Sequence, residues 1–352
     1  MAFSISSLRL FSATWQRSAT RNDLNKARSV VRFRVALSLL ILFAGGLVTA
    51  AHGQTVHAVK IAAPVERIIA TGNGTYILAG GEIFKAIACD TASGLCLEPS
   101  AVFPEPDPAP ADALPDGRIA LTGNGDIRQA WFGRPTRRYA HGVLGDAIEA
   151  GSLVVVTSSG SRLEAILPED QVFEDITPRI ADLDGDGSNE VIAIRSSTGG
   201  GGGVVIYGLA GGALKLLGAG TENGRPNRWL NIAGLVPHPD GGLTLYGVRT
   251  PHIGGRLFSL IFRNGEVSER NDIATDVSNH IIGSRELGMS AVGTFGDRLE
   301  LVLPSQDRRR LRFPLTSRAD IPLPGPINKA IAVVDGRLIT ASKDGTLIVV
   351  SP

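Results

Sequence analysis

The stretch that decides the fold is Ile180-Ala181-Asp182-Leu183-Asp184-Gly185-Asp186-Gly187-Ser188-Asn189-Glu190-Val191-Ile192-Ala193-Ile194. Carboxylates occupy the first, third, fifth and ninth positions from Asp182 to Glu190, and glycines stand where the backbone must turn. Such closely spaced like charges repel one another unless a cation lies among them. Oxygen ligands at this spacing suit Ca²⁺, which takes about six to eight oxygens in a flexible shell. The stretch therefore predicts a calcium-binding loop; the alternative is a solvated acidic turn without an ion.

The residues around this loop indicate strands rather than helices. An EF-hand loop that began at Asp182 would have Gly187 at its sixth position, as required, but Ala193 at its twelfth, where a bidentate Glu belongs. The segment 191–194 that follows is short and rich in β-branched residues, which favours a strand. We therefore predict a strand–loop–strand hairpin.

The segment from Ile180 to Ala193 resembles the FG-GAP or VCBS-type repeat of integrin-like β-propellers, in which such a hairpin carries calcium. The Phe-Gly and Gly-Ala-Pro signatures that name the family are absent. The resemblance implies that Ca²⁺ is a structural cofactor that pins a turn. The metal ligands that it implies are the side chains of Asp182, Asp184, Asp186 and Glu190 and the backbone carbonyl of Ser188.

A weak internal repeat extends over the rest of the chain. Short apolar runs alternate with Gly, Asp-Gly and Asn-Gly turns, which is an all-β pattern. Similar units begin near Glu66, Gly117, Ala147, Arg179, Asn231, Met289 and Ala330. Seven units over residues 54–352 average about 43 residues each, the size of a propeller blade of four short strands. We predict one domain, an all-β, seven-bladed β-propeller over 54–352, with a β-sandwich pair or a solenoid as alternatives.

The two ends of that domain are expected to meet in one blade. The last unit, after Ile327, has room for about three strands. Thr55 to Ile61 is expected to supply the fourth, which would close the ring and remove exposed sheet edges.

The N-terminus predicts export. Residues 35–51 form an uncharged apolar run after Arg28, Arg32 and Arg34, and Ala51-His52-Gly53 fits a small-x-small cleavage site. We predict a signal peptide over 1–53, with a signal helix and a long basic leader, a mature N-terminus at Gln54, and a bacterial protein in the periplasm or secreted. The alternative is an uncleaved anchor in the inner membrane, facing the periplasm, because a run of 17 residues is at the lower edge of a spanning helix.

The net charge of residues 54–352 bears on which partners the protein is expected to bind. Residues 1–53 hold seven of the 35 basic residues and one of the 34 acidic residues, so 54–352 carries a net charge of −5. A mildly acidic chain gives no general reason to bind nucleic acid. We therefore expect a monomer that contacts no nucleic acid, and that contacts a membrane only if the signal segment is retained.

The two cysteines are consistent with the predicted export to an oxidising compartment. Cys89 and Cys96 flank Asp90, Ser93 and Gly94, which favour a turn. In an oxidising compartment this pair is expected to form a disulfide that staples a hairpin loop.

No motif identifies a reaction. His141, His238 and His252 lie in loop-like segments, which a propeller gathers on one face, although isolated surface or core histidines are the commoner situation. We therefore expect an exported, non-catalytic, calcium-binding scaffold that binds a protein, glycan or small ligand on one face. The alternative is a carbohydrate-active lyase or hydrolase that uses the same loops.

Overall fold

The computed structural model describes residues 53–105, 107 and 109–352. The predicted signal peptide lies outside these residues apart from Gly53. The described chain is all-β, with 25 strands and no helix, and so contains no helix that meets the length and apolarity of a bilayer span. The all-β prediction is confirmed for this part of the chain.

The strands of the first half are short and antiparallel to their partners. They are β1 (Thr55–Val59), β2 (Val65–Thr71), β3 (Gly74–Ala79), β4 (Glu82–Ala88), β5 (Leu95–Pro99), β6 (Ala120–Leu121), β7 (Ile127–Thr136), β8 (Glu149–Thr157), β9 (Arg162–Ile166), β10 (Gln171–Phe173), β11 (Arg179–Ala181), β12 (Glu190–Ser197), β13 (Gly201–Ala210) and β14 (Ala213–Ala219).

The strands of the second half follow the same pattern. They are β15 (Leu230–Pro237), β16 (Leu243–Arg249), β17 (Arg256–Arg263), β18 (Glu266–Thr275), β19 (Ala291–Phe295), β20 (Arg298–Pro304), β21 (Arg310–Arg312), β22 (Ile321–Pro322), β23 (Ala332–Val334), β24 (Arg337–Ala341) and β25 (Leu347–Ser351).

Hydrogen bonding divides these strands into five sheets, and we treat the largest sheet as two groups, which gives six groups in all. Group 1 is β2–β5, group 4 is β15–β18 and group 5 is β19–β22, and each of these is a separate four-stranded sheet. Group 2 is β6–β9 and group 3 is β10–β14; the two form one nine-stranded sheet because β10 pairs with both β8 and β12. Group 6 consists of β23–β25 together with β1.

The predicted count of seven is not confirmed. The units predicted to begin near Gly117 and Ala147 both lie in group 2, where β7 pairs with both β6 and β8. The connection between β7 and β8, residues 137–148, is long for a hairpin. Because this connection is long, β8 begins about as far along the chain from β6 as a new repeat unit would. The two strands nevertheless belong to one sheet.

The N-terminal strand joins the C-terminal group, as the sequence predicts. β1 pairs with β25 along its whole length, from Thr55 opposite Ser351 to Val59 opposite Leu347. Without β1, the outer edge of β25 would present unpaired N–H and C=O groups. The two ends of the described chain are therefore held in one sheet.

The core lies between neighbouring groups, in layers of aliphatic side chains. Neighbouring groups share these clusters from group 2 through group 6, and group 6 shares one with group 1, so these sheets pack face to face as in a β-propeller. Pairs of buried residues from neighbouring groups in one cluster include Ile192 with Leu245, Leu257 with Leu301, Val302 with Leu338, and Ile77 with Val349.

The predicted disulfide is present. Cys89 follows β4 and Cys96 lies in β5, and the two are bonded with their Cα atoms 5.7 Å apart. The bond closes the hairpin loop between the last two strands of group 1.

The role of β1 can be tested by one substitution. Val56 packs against the cluster shared by groups 5 and 6, whereas its neighbour Thr55 is exposed. Val56→Asp places a carboxylate against apolar side chains and should lower the free energy of unfolding by about 2 kcal/mol or more. Thr55→Asp is the matched control and should be nearly neutral. Chemical denaturation followed by tryptophan fluorescence measures both; equal stabilities would mean that β1 does not contribute to the folded domain.

Candidate functional site

The acidic residues occupy the turn of a hairpin. β11 pairs antiparallel with β12, and Ala181 lies opposite Glu190 at the mouth of the turn. We call residues 182–189 the acidic loop. Gly185 and Gly187 have φ values of 80° and 91°, in the left-handed region that glycine adopts without strain. The strand–loop–strand prediction is confirmed.

Three of the predicted ligand side chains converge. Carboxylate oxygens of Asp182, Asp184 and Glu190 all lie within 4.8 Å of one another. Two oxygens on opposite sides of a calcium ion are about 4.8 Å apart, since each Ca–O distance is about 2.4 Å. The three side chains therefore fit around one hard cation. Asp186 is not part of this convergent group, and its Oδ1 accepts a hydrogen bond from the backbone N–H of Ser188 at 2.7 Å.

Backbone hydrogen bonds hold the converging carboxylates in place. Asp182 accepts from the N–H groups of Gly185 at 2.7 Å and Gly187 at 3.0 Å. Glu190 is buried, and its Oε2 accepts from the N–H of Leu183 at 2.8 Å. Each carboxylate oxygen has a second lone pair, so these bonds orient the side chains and still leave acceptor capacity for a metal.

The loop is electrostatically frustrated without a cation. Burial and the neighbouring charges of Asp184, Asp186 and Asp182 together raise the pKa of Glu190 to about 7, against the opposing effect of the Leu183 N–H. Close carboxylates disfavour ionisation of one another. The donor set therefore has the chemistry of a hard-cation site.

The acidic loop is docked on group 2 through Asn189. The Asn189 Nδ2 donates to the carbonyls of Asn124 at 2.7 Å and Ile127 at 2.9 Å. The Asn189 N–H donates to Asp126 Oδ1 at 2.7 Å. Sequence analysis did not assign Asn124, Asp126 or Asn189 a role, because these contacts span more than 60 residues.

The loop also contacts group 4. The N–H of Leu243 donates to the carbonyl of Leu183 at 2.8 Å, and Leu183 itself is buried. Gly242 has a φ of 63° and its Cα lies so close to this carbonyl that a side chain would collide with it. The acidic loop thus links groups 2, 3 and 4.

The histidines are divided between the two ends of the strands. In an antiparallel sheet, successive connections alternate between ends. His238 lies in the connection from β15 to β16, which contacts the acidic loop, whereas His141 and His252 lie in connections at the opposite end. His238 therefore lies at the other end of the strands from His141 and His252.

His252 instead meets His280, which the sequence did not single out. The two rings are joined by a 2.7 Å contact between His252 Nε2 and His280 Nδ1, and His280 Nε2 donates to the carbonyl of Ser284 at 2.7 Å. The second bond makes His280 Nδ1 the acceptor, so His252 Nε2 donates. Trp229 stacks on His252 with ring centroids 6.0 Å apart. Burial lowers the pKa of both histidines to about 4, so both are neutral at pH 7.

A second buried network lies beside the histidine pair. The Glu174 carboxylate contacts His141 Nδ1 through Oε1 and the Ser196 hydroxyl through Oε2, and it is fully buried. Trp229 Nε1 donates to the Glu174 carbonyl at 2.8 Å. The network therefore ties together the loops of groups 2, 3 and 4 at this end.

Glu149 is a buried acid at this end of the strands. Its carboxyl group has no hydrogen-bond partner among the described residues. It is 3% exposed. Burial, together with the charges of Glu174, Asp146 and other nearby carboxylates, raises its pKa to about 9. The Glu149 carboxyl is therefore protonated at pH 7 in the folded protein.

Glu149 should make stability depend on pH. Its folded pKa of about 9 lies above the ordinary value of 4.5, so its contribution to stability is complete below pH 4.5 and is lost as the pH rises towards 9. Glu149→Gln removes this loss, and its advantage over the wild type should grow to roughly 3 kcal/mol at pH 7. Urea unfolding at several pH values measures the difference.

The control for this measurement is Glu98→Gln, since Glu98 is exposed in β5. A stability difference between Glu149→Gln and the wild type that stays constant from pH 4.5 to 9 would contradict the assigned protonation of Glu149.

Comparisons with known proteins do not assign this chain to a protein family. No protein-family model matches the chain, and no curated protein matches it. Among solved structures, AofleA from Arthrobotrys oligospora is 11% identical, with 85% of this chain and 86% of that chain covered and a TM-score of 0.35. BamB from Moraxella catarrhalis is 10% identical, with 85% and 98% covered and a TM-score of 0.25. The WD40 domain of SCAP from fission yeast is 11% identical, with 86% and 74% covered and a TM-score of 0.27.

These similarities are too distant to carry an argument about fold details or function. The assignment of a β-propeller type of fold rests on the strand pairing and on the shared core clusters of this chain.

Proposed function

We propose that the protein is an exported, calcium-binding β-propeller of the FG-GAP or VCBS type that acts as a binding scaffold. The observation that carries the calcium assignment is the convergence of the Asp182, Asp184 and Glu190 carboxylates within 4.8 Å, in a loop wedged between neighbouring groups. Bound Ca²⁺ would supply positive charge that relieves the repulsion among these groups. In this proposal Asp186 and the Ser188 carbonyl complete the shell.

The proposed role of the ion is structural. Asp182 and Glu190 are bonded to backbone N–H groups, and Asn189 and Leu183 fix the loop on groups 2 and 4. A cation held here would stiffen a junction of three groups. The proposed export is supported by the Cys89–Cys96 disulfide, because such bonds persist in oxidising compartments.

A scaffold role is supported by the burial of the two carboxyl groups of the polar network, Glu174 and Glu149. Glu174 is fully buried and both of its carboxylate oxygens have partners within the chain, and Glu149 is 3% exposed. Neither carboxyl is placed to meet a polymeric substrate in this conformation. This pair therefore gives the carbohydrate-active alternative no specific support.

Calcium titration tests the metal assignment. Isothermal calorimetry on the wild type should show one Ca²⁺ bound with a Kd of about 10⁻³ M or tighter, the range of extracellular modules. Asp184→Asn removes one charge from the convergent group and should weaken binding at least about tenfold. Asp186→Asn should have a smaller effect, because Asp186 lies outside that group.

The control is Asp297→Asn, whose side chain is 86% exposed in the turn between β19 and β20 and should leave calcium binding unchanged. At the same concentration, calcium should also raise the melting temperature of the wild type and of Asp297→Asn more than that of Asp184→Asn. No heat of binding up to about 10 mM Ca²⁺, well beyond the weak limit of such modules, would refute the metal assignment.

A further inference from the structure

A basic pocket lies on groups 3 and 4, at the end of the strands opposite the acidic loop. Residues of the connection from β14 to β15 and of the connection from β16 to β17 line it, and its volume is about 480 Å³. Its charged lining consists of Arg225, Arg228 and Arg256, and no carboxylate of the described residues contributes to it. We call it the arginine pocket.

The carboxylates beside the arginine pocket are paired with arginines other than Arg225 and Arg228. The pairs are Glu222 with Arg195, Glu269 with Arg249, and Asp272 with Arg256. The side chains of Arg225 and Arg228 make no ion pair or hydrogen bond with any described residue, and both reach solvent. Two positive charges therefore face the pocket without a counter-charge from the part of the chain that the structure describes.

The backbone that carries these two arginines is fixed. The Arg228 carbonyl accepts from the N–H of Gly202 at 2.8 Å and from Asn223 Nδ2 at 3.1 Å. Gly201 lies so close to the Arg225 carbonyl that a Cβ at this position would collide with it. The loop is therefore ordered before a ligand arrives, which lowers the entropic cost of binding.

The other wall of the pocket combines backbone strain with an apolar side chain. Thr250 has a φ of 47°, a conformation that is rare for a β-branched residue, and its N–H donates to the Trp229 carbonyl at 2.9 Å. Such strained residues cluster at binding sites, where the surrounding structure imposes the strain. Ile253 lies three residues further on and is 60% exposed. The pocket thus offers an apolar surface beside its two free cations.

We propose that the arginine pocket binds an acidic peptide segment of a partner protein, whose carboxylates pair with Arg225 and Arg228 and whose apolar side chain covers Ile253. Guanidinium groups bind carboxylates through two parallel hydrogen bonds. A small inorganic anion or an anionic glycan would match the charges but would bring no apolar side chain to Ile253. This inference gives the proposed scaffold a class of partner and so rests on the proposed function.

The binding test uses a dye-labelled peptide that repeats two glutamates and one leucine, with fluorescence anisotropy at low salt. Binding should be saturable, and sodium chloride should weaken it. An analogue with glutamine for glutamate should bind at least about tenfold more weakly, and one with glycine for leucine at least about threefold more weakly. Equal binding of the acid and its glutamine analogue, or no saturable binding, would overturn the proposal. Tighter binding of a sulfated oligosaccharide than of the peptide would overturn the peptide assignment.

Variants locate the site. Arg225→Gln and Arg228→Gln should each weaken peptide binding at least about threefold, and the double variant at least about tenfold. Ile253→Ser should weaken the peptide that contains leucine and spare the glycine analogue. Arg298→Gln is the matched control, because Arg298 is 60% exposed at the start of β20, at the acidic-loop end of the strands. Unchanged affinity in the double variant, or an equal loss in the control, would overturn the assignment.

Calcium titration of the same samples separates the two proposals. Peptide binding by a wild-type protein that takes up no Ca²⁺ would refute the metal assignment alone. Calcium binding by a wild-type protein that takes up no peptide would refute the arginine pocket alone.

Discussion

The repulsion among the carboxylates of the acidic loop is the constraint on which this structure depends. The acidic loop and the adjoining Glu190 place three carboxylates within 4.8 Å of one another, yet the loop is also the point where groups 2, 3 and 4 meet. Asn189 and Leu183 supply directional hydrogen bonds to both neighbours, and these bonds are satisfied only when the loop holds its turn. A cation that neutralises the loop would therefore stabilise a junction as well as a hairpin, because packing in a propeller is mainly between neighbours.

The two ends of the strands have different chemistry. The acidic-loop end collects oxygen ligands with hydrogen-bonded backbone support. The opposite end buries neutral histidines and a protonated Glu149 behind the loops, and a cavity of about 960 Å³ whose lining includes Ser284 and Arg285 opens there. His280 connects these layers, since its ring donates to the carbonyl of Ser284, a residue of the cavity wall. A rigid polar layer beneath a cavity suits a binding surface that must keep its shape.

Local features were predictable from the sequence, and long-range ones were not. The hairpin at 180–194, the Cys89–Cys96 bond and the pairing of β1 with β25 all follow from turn residues, spacing and the need to cover sheet edges. The number of groups did not follow, because the long connection 137–148 imitates a repeat boundary. The docking of Asn189 on Asn124 and the meeting of His252 with His280 join loops far apart in sequence. Neither leaves a periodic signal, so only the folded arrangement reveals them.

The central claim is that calcium in the acidic loop stiffens the junction of three groups. Hydrogen exchange measured by mass spectrometry, with and without Ca²⁺, tests it most directly. The account predicts that calcium slows exchange in residues 182–190 and in the docked segments 122–127 and 238–243. It predicts little change in group 6. Slower exchange in none of these segments, or in all parts of the domain equally, would contradict it.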